Sequence, residues 1–199
     1  MERSKQSQFA DLVSRVQHCE LCPRMQDRRK VLSSANGHLD SPVVFIAEAP
    51  GRLGADKYGI PLYGDQTGRN FEQLLASAGL QRESLFITNA VLCNPRSSNG
   101  NNDSPTTAEI RRCSSFLEET LEVIKPQYVV PLGAAALTAL NLIEPHGIKL
   151  SAGVGEVFKW HGYHLYPLYH PGPRAFIWRT RIQQTKDYQF LAQAVLKSS

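Results

Sequence analysis

Two acidic side chains, Glu48 and Asp65, lie in one loop that is rich in Gly and Pro. The loop follows an apolar, β-branched run at residues 43–47, which predicts a buried strand. Beyond the loop, apolar residues repeat at helical spacing up to Gly79, and Asp65 or Thr67 can cap that helix. A strand, a polar loop and a helix N-terminus form the arrangement in which α/β proteins bind anions and small molecules. The sequence therefore predicts that the chemistry lies in this loop.

Two further polar side chains, Asn89 and His170, also follow apolar runs. The Asn89 amide can donate and accept hydrogen bonds together. His170 precedes Pro171 and Gly172, a rigid turn that would hold the imidazole outward. Each of these residues has a structural alternative: Asn89 can cap a turn, His170 can be a buried core residue, and Asp65 can be a routine helix N-cap.

Four cysteines form a second candidate site. Cys19 and Cys22 are a close pair, and Cys93 and Cys113 are scattered farther along the chain. In a reducing compartment such a pair indicates a metal site or a redox dithiol rather than a disulfide. Four thiolates are the full complement for zinc or for an iron–sulfur cluster, and one close pair with two scattered cysteines favours the cluster. The alternatives are zinc and four unrelated buried thiols.

The composition is that of an ordinary globular protein. The chain has 199 residues, of which 42% are hydrophobic and 20% charged, so we expect one domain. The formal net charge of +4 is compatible with a nucleic-acid partner but does not require one. The polar N-terminus and the absence of any membrane-length apolar stretch predict a cytoplasmic protein without membrane association.

Strands and helices alternate along the chain. A first helix leads to the close cysteine pair, a capping-box pattern at Thr106 and Glu109 begins a long helix, and a last helix covers residues 188–196. Residues 94–105 are polar and predict a loop with freedom to move. Further strands are predicted at residues 85–92, 127–132, 154–160 and 164–169. This alternation predicts an α/β fold, with helices on both faces of a mostly parallel sheet.

Several short motifs occur in a characteristic order. They are Cys19-x-x-Cys22, IAEAPG at 46–51, GIPLYGDQTG at 59–68, TNAVLCNP at 88–95, Cys113, and LYHPGPR at 168–174. In this order they resemble the iron–sulfur uracil-DNA glycosylases, families four and five of the uracil-DNA glycosylase superfamily. The resemblance covers nearly the whole chain.

The resemblance implies a single domain over residues 1–199, a three-layer α/β/α fold around a four-stranded sheet. It also implies a structural 4Fe–4S cluster on Cys19, Cys22, Cys93 and Cys113, which ties in the N-terminal helix. The activity it implies is that of a monomeric, monofunctional glycosylase of base excision repair. Such an enzyme hydrolyses the N-glycosidic bond of uracil, or of another deaminated base, in the DNA of the nucleoid.

The central loop departs from both families. Family four typically has G-E-A-P-G, and this chain keeps Glu48 but has Ala47 in place of the first Gly. Family five has its acid in a G-D-x-S-G segment, and Asp65 stands in the corresponding GDQTG. The loop is closer to family five. Leu62 stands where these families usually place a Phe that stacks on the base, and the neighbouring Tyr63 is the substitute we expect.

The resemblance also implies roles for individual residues. Asp65 would position the water, with Glu48 sharing or replacing that role, and His170 would stabilise the departing base at its O2. Asn89 would read the pyrimidine edge. The remaining substrate contacts would come from Tyr63, Leu62, Ala49 and Gly51. Gly51 stands where strict uracil enzymes carry an aromatic residue that blocks the thymine methyl, so we expect hypoxanthine, xanthine or mismatched thymine as further substrates.

The segment after His170 has the composition of a DNA-binding loop. Pro171 and Gly172 would pinch the backbone, Arg174 and Arg179 would contact phosphates, and Phe176 or Ile177 would fill the gap in the duplex. A helix start with incidental charges is the alternative.

Two other classes of protein compete with the enzyme. One is a non-catalytic nucleic-acid-binding module with the same fold and cluster, and the other is an iron–sulfur electron-transfer or scaffold protein. Formation of abasic sites separates the enzyme from both.

Overall fold

The central sheet has five strands. The structure is a computed structural model that describes residues 3–197. The strands are β1 (Val43–Ala47), β2 (Phe86–Asn89), β3 (Tyr128–Pro131), β4 (Phe158–Trp160) and β5 (Tyr163–Leu165). Their order is β2-β1-β3-β5-β4, and every neighbouring pair is parallel except β4 with β5. The predicted mostly parallel α/β fold is confirmed, and each of the five strands predicted along the chain has a counterpart. The count of four strands implied by the resemblance is wrong, because the predicted strand over residues 154–160 forms the short β4 and adds an antiparallel edge.

Seven helices surround the sheet within the described part of the chain. They are α1 (Lys5–Gln17), α2 (Ala55–Tyr58), α3 (Gln66–Ser77), α4 (Thr107–Ile124), α5 (Ala134–Ile143), α6 (Leu150–Gly153) and α7 (Arg181–Lys197). None of them is long and apolar enough to cross a bilayer.

The helices lie on both faces of the sheet. In β1, Val44 and Ile46 belong to a buried cluster with α1, α4 and α5, whereas Val43 and Phe45 belong to a second cluster with α3 and α7. Successive strand residues point to opposite faces, so an all-apolar strand is what a sheet covered on both sides requires. The three-layer arrangement is confirmed.

The long helix begins as predicted. The Thr106 hydroxyl accepts a hydrogen bond from the backbone N–H of Glu109, and the Glu109 carboxylate accepts one from the N–H of Thr106. This reciprocal capping box satisfies two N–H groups that have no partner within the helix. At the other end Lys125 adopts a left-handed conformation, with φ of 51°, and closes the helix.

Other boundaries differ from the prediction. The strand expected over residues 85–92 stops at Asn89, where the chain bends while Ala90 and Val91 still donate hydrogen bonds to the carbonyls of Ala47 and Glu48. The last helix begins at Arg181 rather than at residue 188. The loop after β1 contains the short helix α2, where the sequence predicted only irregular structure.

Candidate active site and cysteine cavity

The predicted polar residues meet at the carboxyl edge of the sheet. Ala47 lies opposite Asn89 in the β1–β2 pairing, so Glu48 and Asn89 leave neighbouring strands side by side. A bridge between Leu132 and Leu168 continues the β3–β5 pairing towards His170. The parallel strands therefore deliver Glu48, Asn89 and His170 to one edge, where α/β proteins usually bind ligands.

The two carboxylate oxygens of Asp65 have different contacts. Oδ1 accepts a hydrogen bond of 2.9 Å from the backbone N–H of Gly68 and caps α3. Oδ2 lies against the first loop: a β-carbon at Gly51 would be 2.8 Å from it, and one at Gly54 would be 2.6 Å away. A side chain at Gly51 would displace this carboxylate oxygen, and one at Gly54 would also meet the backbone carbonyl of Tyr63 at 2.6 Å. The helix-capping alternative for Asp65 is therefore confirmed, and its second oxygen lies beside the first loop.

Glu48 is half-buried and unpaired. Its carboxylate makes no hydrogen bond or ion pair with any residue between 3 and 197 that the structure describes. A partly desolvated carboxylate without a partner lacks the stabilisation that protein interiors normally supply. It is therefore free to interact with a ligand or water at this edge.

His170 is held as a neutral hydrogen-bond donor. The backbone N–H of Gly172 donates to His170 Nδ1 at 3.1 Å, so the single proton of the neutral ring is assigned to Nε2. Burial lowers the pKa of His170, and the nearby negative charge of Asp65 acts in the opposite direction. Asp65 and His170 are thus close enough to interact electrostatically, and the imidazole is uncharged near neutral pH.

Asn89 leaves a buried donor unused. The residue is 2% exposed, and its Nδ2 has no hydrogen-bond partner in the part of the chain that is described. An unsatisfied buried donor costs about 1–3 kcal/mol, so such groups are rare unless a ligand completes them. The Asn89 amide is therefore placed to bind a polar group that enters the site.

The two candidate stacking residues differ in exposure. Leu62 is buried in the cluster beneath the sheet and has a positive φ of 47°. Tyr63 is 46% exposed and packs edge to face with Tyr58, with ring centroids 5.7 Å apart. The aromatic surface that these residues present at the loop therefore comes from Tyr63 and Tyr58.

Sequence reasoning missed several asparagines that hold the loops. The buried Asn70 on α3 donates to the carbonyl of Pro171, and so fixes the turn after His170. Asn94 donates to the carbonyl of Pro50 at 2.6 Å, beside Ala49, which packs partly buried against the first core cluster. A single Asn carries no spacing signal, so nothing in the sequence marked Asn70, and Asn94 was quoted only as part of the motif at 88–95 without a role.

The segment after His170 is only partly free to contact a ligand. Residues 173–177 form a short 3₁₀ helix, with Arg174 exposed and Phe176 partly covered by Arg181. Arg179 donates two hydrogen bonds to the buried carboxylate of Asp187. That pairing argues against the predicted phosphate contact of Arg179, because its guanidinium already holds a buried charge. Ile177 is 78% exposed and lies nearer the free surface than Phe176 does.

The four cysteines line one cavity. Cys19 and Cys22 follow α1, Cys93 follows β2, and Cys113 lies on α4, and all four are free thiols. Leu21, Met25, Val91, Arg112 and Phe116 complete the lining. The sequence prediction that the close pair and the two scattered cysteines converge is therefore confirmed.

Burial in the cavity raises the pKa of three thiols, those of Cys22, Cys93 and Cys113. Burial raises the pKa of Cys93 to about 11 and that of Cys113 to about 12, and the neighbouring cysteines add to both shifts. Burial also raises the pKa of Cys22, against a hydrogen bond from Arg112. Without a cation, these sulfurs are protonated at neutral pH. A positively charged centre is what would stabilise them as thiolates.

An ion pair between the exposed Arg24 and the buried Glu109 supports the chain just beyond the close cysteine pair. Arg24 donates to both carboxylate oxygens of Glu109, at 2.6 and 2.8 Å, and to Asp103 at 2.8 Å. These hydrogen bonds, with those from Thr106, lower the pKa of Glu109 to about 2. Arg24 thus joins the N-terminal region to the start of α4 independently of the cysteines.

The family model and the individual relatives that match this chain indicate the same protein family. A family model described as the uracil DNA glycosylase superfamily matches residues 35–195. A type-4 uracil-DNA glycosylase of Thermotoga maritima is 34% identical over 166 residues, 82% of each chain. The type-4 enzyme of Archaeoglobus fulgidus is 30% identical over 185 residues, 90% of this chain and 88% of the relative. A type-5 enzyme of Pyrobaculum aerophilum is 29% identical and covers 83% of each chain.

Relatives of both types match, in keeping with a central loop that carries both Glu48 and Asp65. The extent of the family match, the identities over most of the chain and the shared α/β architecture lead to one conclusion. This chain belongs to the uracil DNA glycosylase superfamily.

Proposed function

We propose that this chain is a monofunctional DNA glycosylase of base excision repair, which hydrolyses the N-glycosidic bond of uracil in DNA and leaves an abasic site. The observation that carries the proposal is the set of polar groups at one edge of the sheet. These groups are two carboxylates, Glu48 and Asp65, a neutral imidazole at His170 and an unpaired buried amide at Asn89. The relatives from Thermotoga maritima and Archaeoglobus fulgidus are named uracil-DNA glycosylases, which supports the same activity for this chain.

The reaction requires these chemical groups. A water oxygen forms a bond to the anomeric carbon while the bond from that carbon to the base nitrogen breaks. The electron pair of the broken bond leaves with the base, and the sugar develops the positive charge of an oxocarbenium ion. A carboxylate stabilises that charge and takes the proton of the water, and a hydrogen-bond donor stabilises the anionic base.

Each group has a role in this scheme. Asp65 positions the water with Oδ2, the oxygen that helix capping leaves free, and Glu48 shares or replaces that role. His170 donates from Nε2 to the base O2, and its neutral state suits a donor that keeps its proton. The free Nδ2 of Asn89 reads the edge of the extruded pyrimidine.

The first loop carries no aromatic side chain at Gly51. The Asp65 carboxylate occupies the space that any side chain at Gly51 would need. The aromatic block against the thymine methyl therefore cannot stand at Gly51 while Asp65 keeps its place. We propose hypoxanthine, xanthine and mismatched thymine as additional substrates, with Tyr63 and Ala49 lining the rest of the pocket and Leu62 buried behind them.

The DNA would be held by the turn after His170. Pro171 has no backbone N–H and the N–H of Gly172 is bonded to His170 Nδ1, so the phosphate contact in this turn would come from Arg174, which is exposed with no competing ion pair among the described residues. The exposure of Ile177 favours it over Phe176 as the side chain that fills the gap left by the extruded base.

The cysteine cavity fits a 4Fe–4S cluster. Four thiols around one cavity are the complete ligand set for such a cluster. The bound cluster would supply a structural link between α1 and α4, held by Cys19, Cys22, Cys93 and Cys113, and no step of the hydrolysis.

The experiment uses oligonucleotides with one uracil, hypoxanthine or xanthine, in single- and double-stranded form, followed by alkaline cleavage of abasic sites. The variants are Asp65→Asn and Glu48→Gln, each of which removes a charge at nearly constant volume. Glu83→Gln is the matched control, because Glu83 is exposed and precedes β2 at the opposite edge of the sheet. We expect wild type and Glu83→Gln to cleave uracil DNA alike.

At least one of the two acid variants should lose about 10²-fold or more in single-turnover rate. Abasic sites from the wild type, lost in Asp65→Asn or Glu48→Gln, would identify the acid that dominates. Intact binding without any abasic product from the wild type would refute the proposal and favour a non-catalytic DNA-binding module.

A further inference from the structure

A polar loop of nine residues grips the first loop of the site. We call residues 94–102 the asparagine clamp. The Asn94 side chain is 1% exposed, and its Nδ2 donates to the carbonyl of Pro50 at 2.6 Å and to Asn102 Oδ1 at 3.1 Å. The same Asn102 oxygen accepts a hydrogen bond of 2.9 Å from the backbone N–H of Arg52. The asparagine clamp thus holds the chain on both sides of Gly51.

A charged pair anchors the asparagine clamp to α2. Arg96 donates from Nε to Asn94 Oδ1 at 2.7 Å and from Nη2 to Asp56 Oδ2 at 2.6 Å. The backbone N–H of Asp56 in turn donates to the carbonyl of Gly51. With these bonds, all the polar atoms of the Asn94 side chain are used and its orientation is fixed.

Gly51, which lies between the two residues bonded to the asparagine clamp, is also the residue beside Asp65 Oδ2. Asp65 Oδ2 lies in the space beside Gly51 and Gly54, so a shift of Gly51 moves the surface that locates the carboxylate. Glu48 precedes the clamped Pro50 by two residues, and so its backbone is held from the same side. Both candidate acids therefore depend on the asparagine clamp for their position, although the clamp itself carries none of the proposed reacting groups.

We infer that Asn94 and Asn102 are positioning residues, which set the catalytic geometry of Asp65 and Glu48 by holding the backbone at Pro50 and Arg52. This inference rests on the proposed glycosylase activity. Misplacing a reacting group by about 1 Å can cost 10²-fold in rate, so a clamp of this kind acts on the chemical step rather than on DNA affinity.

The two asparagines allow a matched test with isosteric changes. Asn102 uses its Oδ1 as an acceptor for both bonds, so Asn102→Asp retains them. Asn94 must donate from Nδ2, so Asn94→Asp places an oxygen against the Pro50 carbonyl and loses both donated bonds. Both variants add one negative charge at neighbouring side chains, so their effects on DNA attraction are closely matched. Asn102→Ala, at an exposed position, removes the acceptor without changing the buried Asn94.

Single-turnover rates, DNA dissociation constants and amide exchange of Arg52 are then measured. We expect Asn94→Asp and Asn102→Ala to slow base release by about tenfold or more while Asn102→Asp stays within about threefold of wild type. Dissociation constants should match between Asn94→Asp and Asn102→Asp. The Arg52 amide should exchange faster in Asn94→Asp and Asn102→Ala only.

Equal rates for Asn94→Asp and Asn102→Asp would overturn the inference. If Asn94→Asp does not fold, the comparison of Asn102→Ala with Asn102→Asp decides in the same way. A wild type that releases no base refutes the proposed function instead. In that case, unchanged Arg52 exchange in Asn102→Ala would refute the asparagine clamp separately.

Discussion

The carboxyl edge of the sheet contains polar groups without partners in the described part of the chain, whereas Arg24 and Glu109, beside the cysteines, are paired with each other. At the edge, the Glu48 carboxylate and the Asn89 Nδ2 lack partners among the described residues. Beside the cysteines, Arg24 and Glu109 satisfy each other with two hydrogen bonds, and Thr106 adds more to Glu109. An unpaired buried group costs stability, so one that lies at the ligand-binding edge of a sheet is a candidate for contact with a ligand.

This contrast separates groups that act on a substrate from groups that hold the fold. Removing an unpaired group should reduce activity and leave stability nearly unchanged. Removing a paired group should do the reverse. Each of the following changes tests one side of that rule.

The largest effect is expected from His170→Ala. The variant removes the Nε2–H that would stabilise the departing base, and loss of one such donor typically costs about 10²–10³-fold in rate. Single-turnover release of uracil from an oligonucleotide measures it. His38→Ala is the control, because His38 is exposed and lies before β1, at the opposite edge of the sheet.

The pH profile tests the charge state of His170. Burial lowers its pKa from the ordinary value of 6.5, so the imidazole stays neutral through neutral and alkaline pH. We therefore expect that titration of His170 contributes no change in the wild-type rate of uracil release between pH 7 and 9. An inflexion in that range that disappears in His170→Ala would contradict a neutral donor.

A second effect, on stability, is expected from Glu109→Gln. The pKa of Glu109 is about 2 in the folded protein because Arg24 and then Thr106 bond to the carboxylate, compared with an ordinary value of 4.5. A lowered folded-state pKa stabilises the protein at higher pH, and a shift of this size corresponds to about 3 kcal/mol. That contribution is complete above about pH 5 and is lost as the pH falls towards 2.

Urea unfolding at several pH values measures this contribution. Wild type should exceed Glu109→Gln in free energy of unfolding at pH 7, and the two should converge as the pH falls from 5 to 3. Glu122→Gln, an exposed change on the same helix, should show no such convergence. A constant gap between wild type and Glu109→Gln at all pH values would show that Arg24 does not hold the ionised carboxylate.

The sequence predicted the strands that meet at the carboxyl edge of the sheet, because local patterns determine them. Apolar runs located the strands whose ends carry Glu48, Asn89 and His170, and the register aligns those ends. The capping box at Thr106 and Glu109 is likewise a pattern of four adjacent residues. Elements defined by short-range periodicity and capping can be identified from one sequence.

Long-range pairings could not be predicted in the same way. Residues 94–105 contain only polar residues, Gly and Pro, which indicated freedom to move, yet Asn94 is bonded to Pro50, 44 residues away in sequence. The start of α7 was missed because Ile182 and Phe190 are both exposed, so its apolar residues do not mark one face. Such features depend on which surfaces meet after folding.

The smallest effect is expected on DNA binding, when Arg174→Gln is compared with Arg179→Gln, a change five residues farther along the chain. Arg174 is exposed and free of ion pairs with described residues, so Arg174→Gln should weaken DNA binding a few-fold and reduce the slope of log affinity against log salt by about one. Arg179 is bound to the buried Asp187, so Arg179→Gln should lower the free energy of unfolding and leave that slope unchanged. Fluorescence anisotropy at several salt concentrations and urea unfolding measure the two quantities. A reduced salt slope in Arg179→Gln would show that Arg179 contacts phosphates although it is paired with Asp187. That result would contradict the rule that paired groups only hold the fold.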